Sequence, residues 1–448
     1  MSGGSSVFSI AVFALLLGLT VWILVHASRR VKSTSTFWAA GHSISGAPNG
    51  VAMSGDFLGA ATMLGSVGLI MLFGFDGAFY SLGWLVGFVT VLFFVGERLR
   101  NAGRYTLSDA LTLRLQEKPV RCAVAVTTLL ISVLLMVTQL LGAGVLLEVL
   151  VGVNYKLAVI ITTVAFVAYV VFGGMVSVTW LQIAKATILG TITLVIAVWV
   201  LAKVSFNPGE LLDRAAARSP AKDGFLAPGL FLTNTFDTVS LRLALVFGVA
   251  GLPHLLMRFF TVPSKTAART SVGWAVGIIG GVFLLTIVIG LGARAFLSPA
   301  GVEAAGDGGN LAAPQLVQVL GGGVGSTGGD LFLAIFAAAA FATALALVAG
   351  LVIAATSAVS HDIWASVVKR GNVSEGEEVR VAKLTAVGIG VVGILLAFYV
   401  EDKSIVFLAG VVSSMRWRRA RTSRCSCSRS AGGGSARSAR CSGSQWAP

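Results

Sequence analysis

The chain has 448 residues, 56% of them hydrophobic and 12% charged, and its mean hydropathy is +0.89. A water-soluble domain carries roughly 25% charged residues, so a soluble globular fold is excluded and a polytopic membrane protein is indicated. The net charge of +14 does not point to a nucleic-acid partner, because eight Arg and no acid fall within residues 416–448, leaving +6 for the remainder.

In chain order, ten apolar runs reach the roughly 20 residues that one bilayer span needs. They cover about 7–27, 48–73, 78–97, 122–151, 157–174, 178–202, 239–260, 272–297, 329–360 and 382–400. An eleventh begins at Ile405 and stops near Ser414. The runs are too long and too uniformly apolar for barrel strands, which alternate. Helices satisfy their own backbone groups in lipid, so the fold class is all-α.

No basic residue precedes the first run, and Arg29, Arg30 and Lys32 follow it. That pattern predicts a retained helix with its N-terminus outside, not a cleaved signal. The loops then predicted inside hold 16 Lys and Arg, Arg258 among them, against 7 outside. The long loops at about 203–238 and 298–328 fall outside.

The second run, "MSGDFLGAATMLGSVGLIMLFG", carries a carboxylate, Asp56, the only ionised side chain between Lys32 and Asp76. Gly55 and Gly59 flank it. Glycine weakens a helix by about 1 kcal/mol relative to Ala. An unwound span frees carbonyls that can hold a cation. Close helix packing, with Asp56 reaching the nearby inner end, accounts for the same residues equally well.

"GVAGLPHLLMRFF", from Gly248 to Phe260, is a second interrupted span, with Gly251, Pro253 and His254 inside it. Pro253 removes a backbone donor and kinks the helix. The two interrupted spans start about 195 residues apart, each opening a group of about five spans. Such a pair is the pattern of an inverted-repeat transporter site. His254 reads equally as a substrate ligand or a local partner.

Lys185, in "TWLQIAKATIL", lies two turns inside its span. It either extends to the inner face or is a buried titratable group; the first is the simpler reading. Thr343 lies in a long small-residue helix, where packing is the simpler reading. No Gly-Lys dipeptide exists, so there is no phosphate-binding loop of the G-x-x-x-x-G-K type. The chain contains four His, and neither H-E-x-x-H nor a paired C-x-x-C occurs in the apolar part. No catalytic residue and no resident metal site are expected.

After Ser414 the composition switches to Arg, Ser, Gly, Ala and Cys. Three of the four Cys lie there, leaving Cys122 alone in the apolar part, so cysteine says nothing of redox compartment. Such a segment cannot bury enough apolar surface to order itself. Two units are therefore expected: a membrane domain, 1–414, and a basic disordered tail, 415–448, read as the product of a reading-frame shift. A tail that binds anionic lipid is the alternative.

"STSTFWAAGHSISGAPNGVAMSGDFLGAA", "GERLRNAGRYTLSDAL", "VFGGMVSVTWLQIAKA", "GLPHLLMRFFTV" and "AFATALALVAGLVIAATSAVSHD" together resemble the sodium/solute symporter family, and within it the cation/acetate symporter (acetate permease) branch. The resemblance covers about residues 30–412. It implies a five-plus-five inverted-repeat (LeuT-like) core after one extra N-terminal helix, here truncated at its C-terminal end. It also implies a multi-pass plasma (inner) membrane protein importing acetate or a related short monocarboxylate with a cation, Na⁺ or alternatively H⁺, and no cofactor.

In the family, carbonyls of the first core helix and hydroxyls of the eighth hold one Na⁺. Carried over, the first set falls on Ser54, Gly55, Asp56 and Phe57, with Leu58 if the register slips by one. The second falls on Ala342 and Thr343, whereas a gapless register from His361 and Asp362 gives Ala346 and Leu347. Substrate and coupling positions fall on Gly59, Gln182, Lys185, Gly251, Pro253 and His254. Many relatives have Thr-Asp and a later Gln where this chain has Leu181, Gln182 and Lys185, which puts a second Na⁺ site in question. The partners implied are a small carboxylate and the lipid bilayer; the oligomeric state stays open. A non-transporting sensor or scaffold, a channel, and a symporter for another small organic solute are the rival readings.

Overall fold

The computed structural model describes residues 34–399 apart from 60, 103, 104, 232 and 307, together with six isolated positions ahead of residue 34. The body of the predicted first span, the run from Ile405 and the tail 415–448 lie outside the described residues.

Among the described residues every regular element is helical. Seven helices are long and apolar enough to span a membrane, or nine when each of two bent pairs counts as one span. These correspond to the nine spans predicted after the first.

The first bent pair joins Gly46–Phe57 to Thr62–Phe73 at 63°. Leu58 is extended at the break, and the chain resumes as a wide π turn over Ala61–Ser66. The second interrupted span behaves as Pro253 dictates. Thr235–Ala250 stops, Leu252 is extended, and a short helix, Pro253–Met257, restarts and tightens into a 3-10 turn at Arg258–Phe260. Proline suits that first helical position, where its missing N–H costs nothing.

The predicted spans 157–174 and 178–202 are one 48-residue helix, Tyr155–Ala202, redirected at Gly174. Gly174 has φ 55° and ψ −167°, a conformation essentially confined to glycine. The predicted outer loops also contain helices. Pro208–Arg218 is capped by the Asn207 side chain, and Ala312–Leu320 buries one face.

The helix Thr327–Ser357 is central. It is buried almost throughout and packs on Glu117–Val151, Tyr155–Ala202 and Glu375–Tyr399. Its alanines allow the close backbone approach that lipid-embedded helices use for cohesion. Lys265–Phe296 packs on the first broken helix and on Phe75–Phe94. Leu130, Val164, Leu284 and Leu395 remain exposed on outer faces, as a bilayer-facing surface requires.

Candidate functional site

The two breaks meet. Asp56, in the last turn before the first break, and Arg258, just beyond the second, form an ion pair from guanidinium Nε to Oδ2, each about 1% exposed. The other carboxylate oxygen accepts from Gln182 Nε2 at 2.6 Å. Gln182 Nε2 also donates to the Ala346 carbonyl at 2.7 Å. Arg258 Nη1 donates to Thr179 Oγ1 at 2.6 Å. Lys185, one turn beyond Gln182 on the same helix, donates to the Gly55 carbonyl at 2.6 Å. Both broken helices, the kinked helix and the central helix therefore supply groups to one buried polar cluster.

Local sequence explains why the pieces fit. A Cβ at Gly350 would lie 2.7 Å from Asp56 Oδ1, so only glycine lets the central helix pass the carboxylate. Asn49 joins the broken helices, donating to the Arg258 carbonyl at 3.1 Å and accepting from Thr261 at 2.8 Å. Buried charge in an apolar interior persists only when paired and hydrogen-bonded. The pairing here is incomplete. Two basic side chains, Lys185 and Arg258, face one carboxylate. Arg258 Nη2, His254 Nδ1, Gln182 Oε1 and Gln139 Oε1 are buried without a hydrogen-bond partner among the described residues.

Several sequence-derived positions belong to this cluster: Gly55, Asp56, Gln182, Lys185 and Ala346. His254 lies beside the Asp56 backbone. Gly59 and Gln139 are neighbours, since a Cβ on Gly59 would lie 2.9 Å from Gln139 Oε1. Other positions do other things. The Ser54 hydroxyl turns back to the carbonyls of Gly50 and Val51, and its own carbonyl accepts from Leu58 N. Phe57 packs against Trp84, Phe88 and Phe283. Leu58 and Thr343 are buried, Ala342 is half-buried, and Gly251 is exposed at the second break, ahead of the buried Pro253.

Two expectations are corrected. Lys185 does not extend to the inner face; it is 4% exposed. Arg258, counted among inner-loop charges, is interior. The sequence contained one clue to it: an intramembrane Asp56 needs a cation, and Arg258 shares a broken span with His254.

A second polar cluster lies at the end where the inner loops are predicted. Asp362 accepts from Thr106 Oγ1 at 2.8 Å, from Ser108 and from Arg121 Nη1 at 3.1 Å. Arg121 Nη1 also donates to Asp109 at 2.9 Å. His361 lies between Asp109, at 3.4 Å, and Glu378, at 3.0 Å. Trp38 Nε1 donates to Glu378 at 3.1 Å. His42 Nδ1 meets the Phe260 carbonyl, and the His42 ring stacks on Tyr105. Burial alone would raise the Asp109 carboxyl, but the hydrogen bond and charge of His361, the Tyr105 N–H and Arg121 together hold it well below the usual carboxylate range. Asp109, His361 and Asp362 present ligand atoms within 4.8 Å of one another. The Arg121 guanidinium already joins the two carboxylates, so the arrangement is an ion-pair network.

A helical membrane protein with two broken spans meeting at buried charge is a secondary-carrier architecture. A family model described as sodium:solute symporter family matches residues 37–416, and the chain belongs to that family. An uncharacterized symporter, YwcA, of Bacillus subtilis (strain 168) is 42% identical over 399 residues, 89% of this chain and 76% of that one. A Na⁺-coupled sialic acid symporter in a substrate-bound outward-open state superposes with a TM-score of 0.74 at 17% identity, covering 90% of this chain and 84% of its own. MhsT in complex with L-phenylalanine gives 0.55 at 14% identity, covering 83% and 82%. Those two likenesses are of fold, and the fold is the five-plus-five core expected from the sequence. Family membership makes the protein a multi-pass membrane transporter that moves a small solute with Na⁺, and not an enzyme.

Proposed function

We propose that the protein imports acetate or a similarly short monocarboxylate across the plasma membrane by symport with Na⁺, its N-terminus outside. One observation carries the substrate class. The cluster at the breaks holds two basic side chains, Lys185 and Arg258, against the single carboxylate of Asp56. Uncompensated charge in such an interior costs several kcal/mol, and a small anion offsets it.

Work then comes from differential binding. Na⁺ and the anion bind one of two states, inner-closed and inner-open, more tightly than the other, and so drive the exchange. The Na⁺ position proposed is the carbonyl set of the first broken helix, Gly55 to Leu58, with Ala346 or Thr343 from the central helix. A proton-coupled reading has its own observation. The Gly55 carbonyl already accepts from the Lys185 ammonium, and an amine that gains and loses a proton would replace the sodium ion there.

Radiolabelled acetate uptake into proteoliposomes tests both readings. Uptake driven by an inward Na⁺ gradient at fixed pH supports the first. Uptake driven by a pH gradient in Na⁺-free medium replaces Na⁺ with H⁺. Ion flux that ignores both gradients favours a channel, and no flux of any small acid favours a sensor or a symporter for a different solute.

A further inference from the structure

We propose that Arg258 is the residue that receives the substrate carboxylate, through its Nη2 arm, and that Asp56 and Thr179 hold the guanidinium in position for it. The assignment rests on the reading that the substrate is an anion.

A guanidinium has five N–H donors in a fixed planar fork. In Arg258 the Nε donor is committed to Asp56 and Nη1 serves Thr179 Oγ1. Nη2 is buried and has no partner among the described residues. A buried charged donor left unsatisfied is costly, so the arm is poised for an acceptor the protein does not itself supply. In the structure Asp56 meets only Nε, through Oδ2, while its other oxygen accepts from Gln182.

Among the cluster's cations, Lys185 is the weaker candidate. Its ammonium is engaged by the Gly55 carbonyl, and it lacks the planar fork that matches a carboxylate. Arg258 also has a neighbour suited to the same ligand. His254 lies four residues earlier across the short restarted helix, one helical turn away, and its Nδ1 is buried and unpartnered. Protonated, that nitrogen would donate to the second carboxylate oxygen; in the neutral ring the proton sits on the other nitrogen, beside the Asp56 backbone. Pro253 fixes the start of this turn, so the break that interrupts the span also presents both donors. Discrimination follows: an uncharged amide of equal size leaves the guanidinium arm without an anionic acceptor and binds poorly.

The test uses the full-length protein in proteoliposomes. Arg258→Lys keeps the charge beside Asp56 and removes the free arm. Its expected behaviour is at least a tenfold rise in the acetate KM, with the half-saturating Na⁺ concentration unchanged. Acetate should raise the melting temperature of the wild-type protein and not of Arg258→Lys. Because loss of Arg258 strands Asp56, a second variant, Asp56→Asn with Arg258→Gln, neutralises both partners together. It should fold, as judged by thermal melting, and show no saturable acetate binding. A wild-type acetate KM in Arg258→Lys, or saturable acetate binding in the double variant, overturns the assignment while leaving carboxylate import standing. A wild-type protein that moves no monocarboxylate removes the functional reading and the assignment together.

Discussion

Trp38 and Glu378 are 340 positions apart in the chain, yet the Trp38 indole donates to the Glu378 carboxylate at 3.1 Å. The bond ties the segment that leads into the first broken helix to the helix Glu375–Tyr399. If this end opens during transport, it must break. Trp38→Phe removes the donor and keeps the ring. A hydrogen bond to a charged group contributes about 1.5–3 kcal/mol, so the inner-open population should rise about tenfold or more. Hydrogen exchange of the Gly46–Phe57 peptide should speed up correspondingly. Unchanged exchange would show that the bond contributes nothing to closure.

Asp56→Asn should cut cation-driven uptake at least tenfold while the protein still reaches the membrane. The physical reason is double: the site loses the one carboxylate it holds among the described residues, and Arg258 is left as an uncompensated buried charge. Breaking one partner of such a pair costs about 3–5 kcal/mol, so the melting temperature should fall as well. Wild-type uptake with unchanged Na⁺ dependence would remove Asp56 from the site.

Lys185→Met separates the coupling ions. If Na⁺ uses the Gly55 carbonyl, the ammonium competes with it, and its removal should lower the half-saturating Na⁺ concentration. If Lys185 itself carries the coupling proton, uptake driven by a pH gradient should vanish in the variant, and added Na⁺ should not restore it.

Asp109 sets an acid limit on the inner cluster. Its carboxyl is held below the usual range in the folded protein, so its stabilisation is fully present above the unfolded value of about 3.9 and lost as pH falls toward the folded one. The melting-temperature difference between wild type and Asp109→Asn should be level between about pH 5 and 6, below the ordinary histidine range, and shrink below about pH 4. A difference that grows on acidification would contradict the ion-pair description.

The spans were legible because length and apolarity are compositional signals that neighbours cannot mask. Pro253, and the glycines around Asp56, also marked the two breaks, since their backbone consequences are local. Arg258 was not legible as an interior residue. A charge near the end of an apolar run looks the same whether it enters a loop or turns inward, and its partner lies 202 positions away. Lys185 was ambiguous for the same reason, its acceptor being a backbone carbonyl with no side-chain signature. The inner cluster escaped because Thr106, Arg121, His361 and Glu378 each sit in a polar stretch that reads as ordinary loop. Only the fold brings those stretches together.

The spread of that cluster along the chain has a consequence for synthesis. Trp38 is among the first residues made, and Glu378 follows 340 positions later. At about 5–20 residues per second, Trp38 waits on the order of 20–70 seconds for its acceptor. The Phe260 carbonyl that His42 meets is made well before that, so its acceptor is available first. A ribosome that stalls between those two positions would leave the segment without its tie to Glu375–Tyr399.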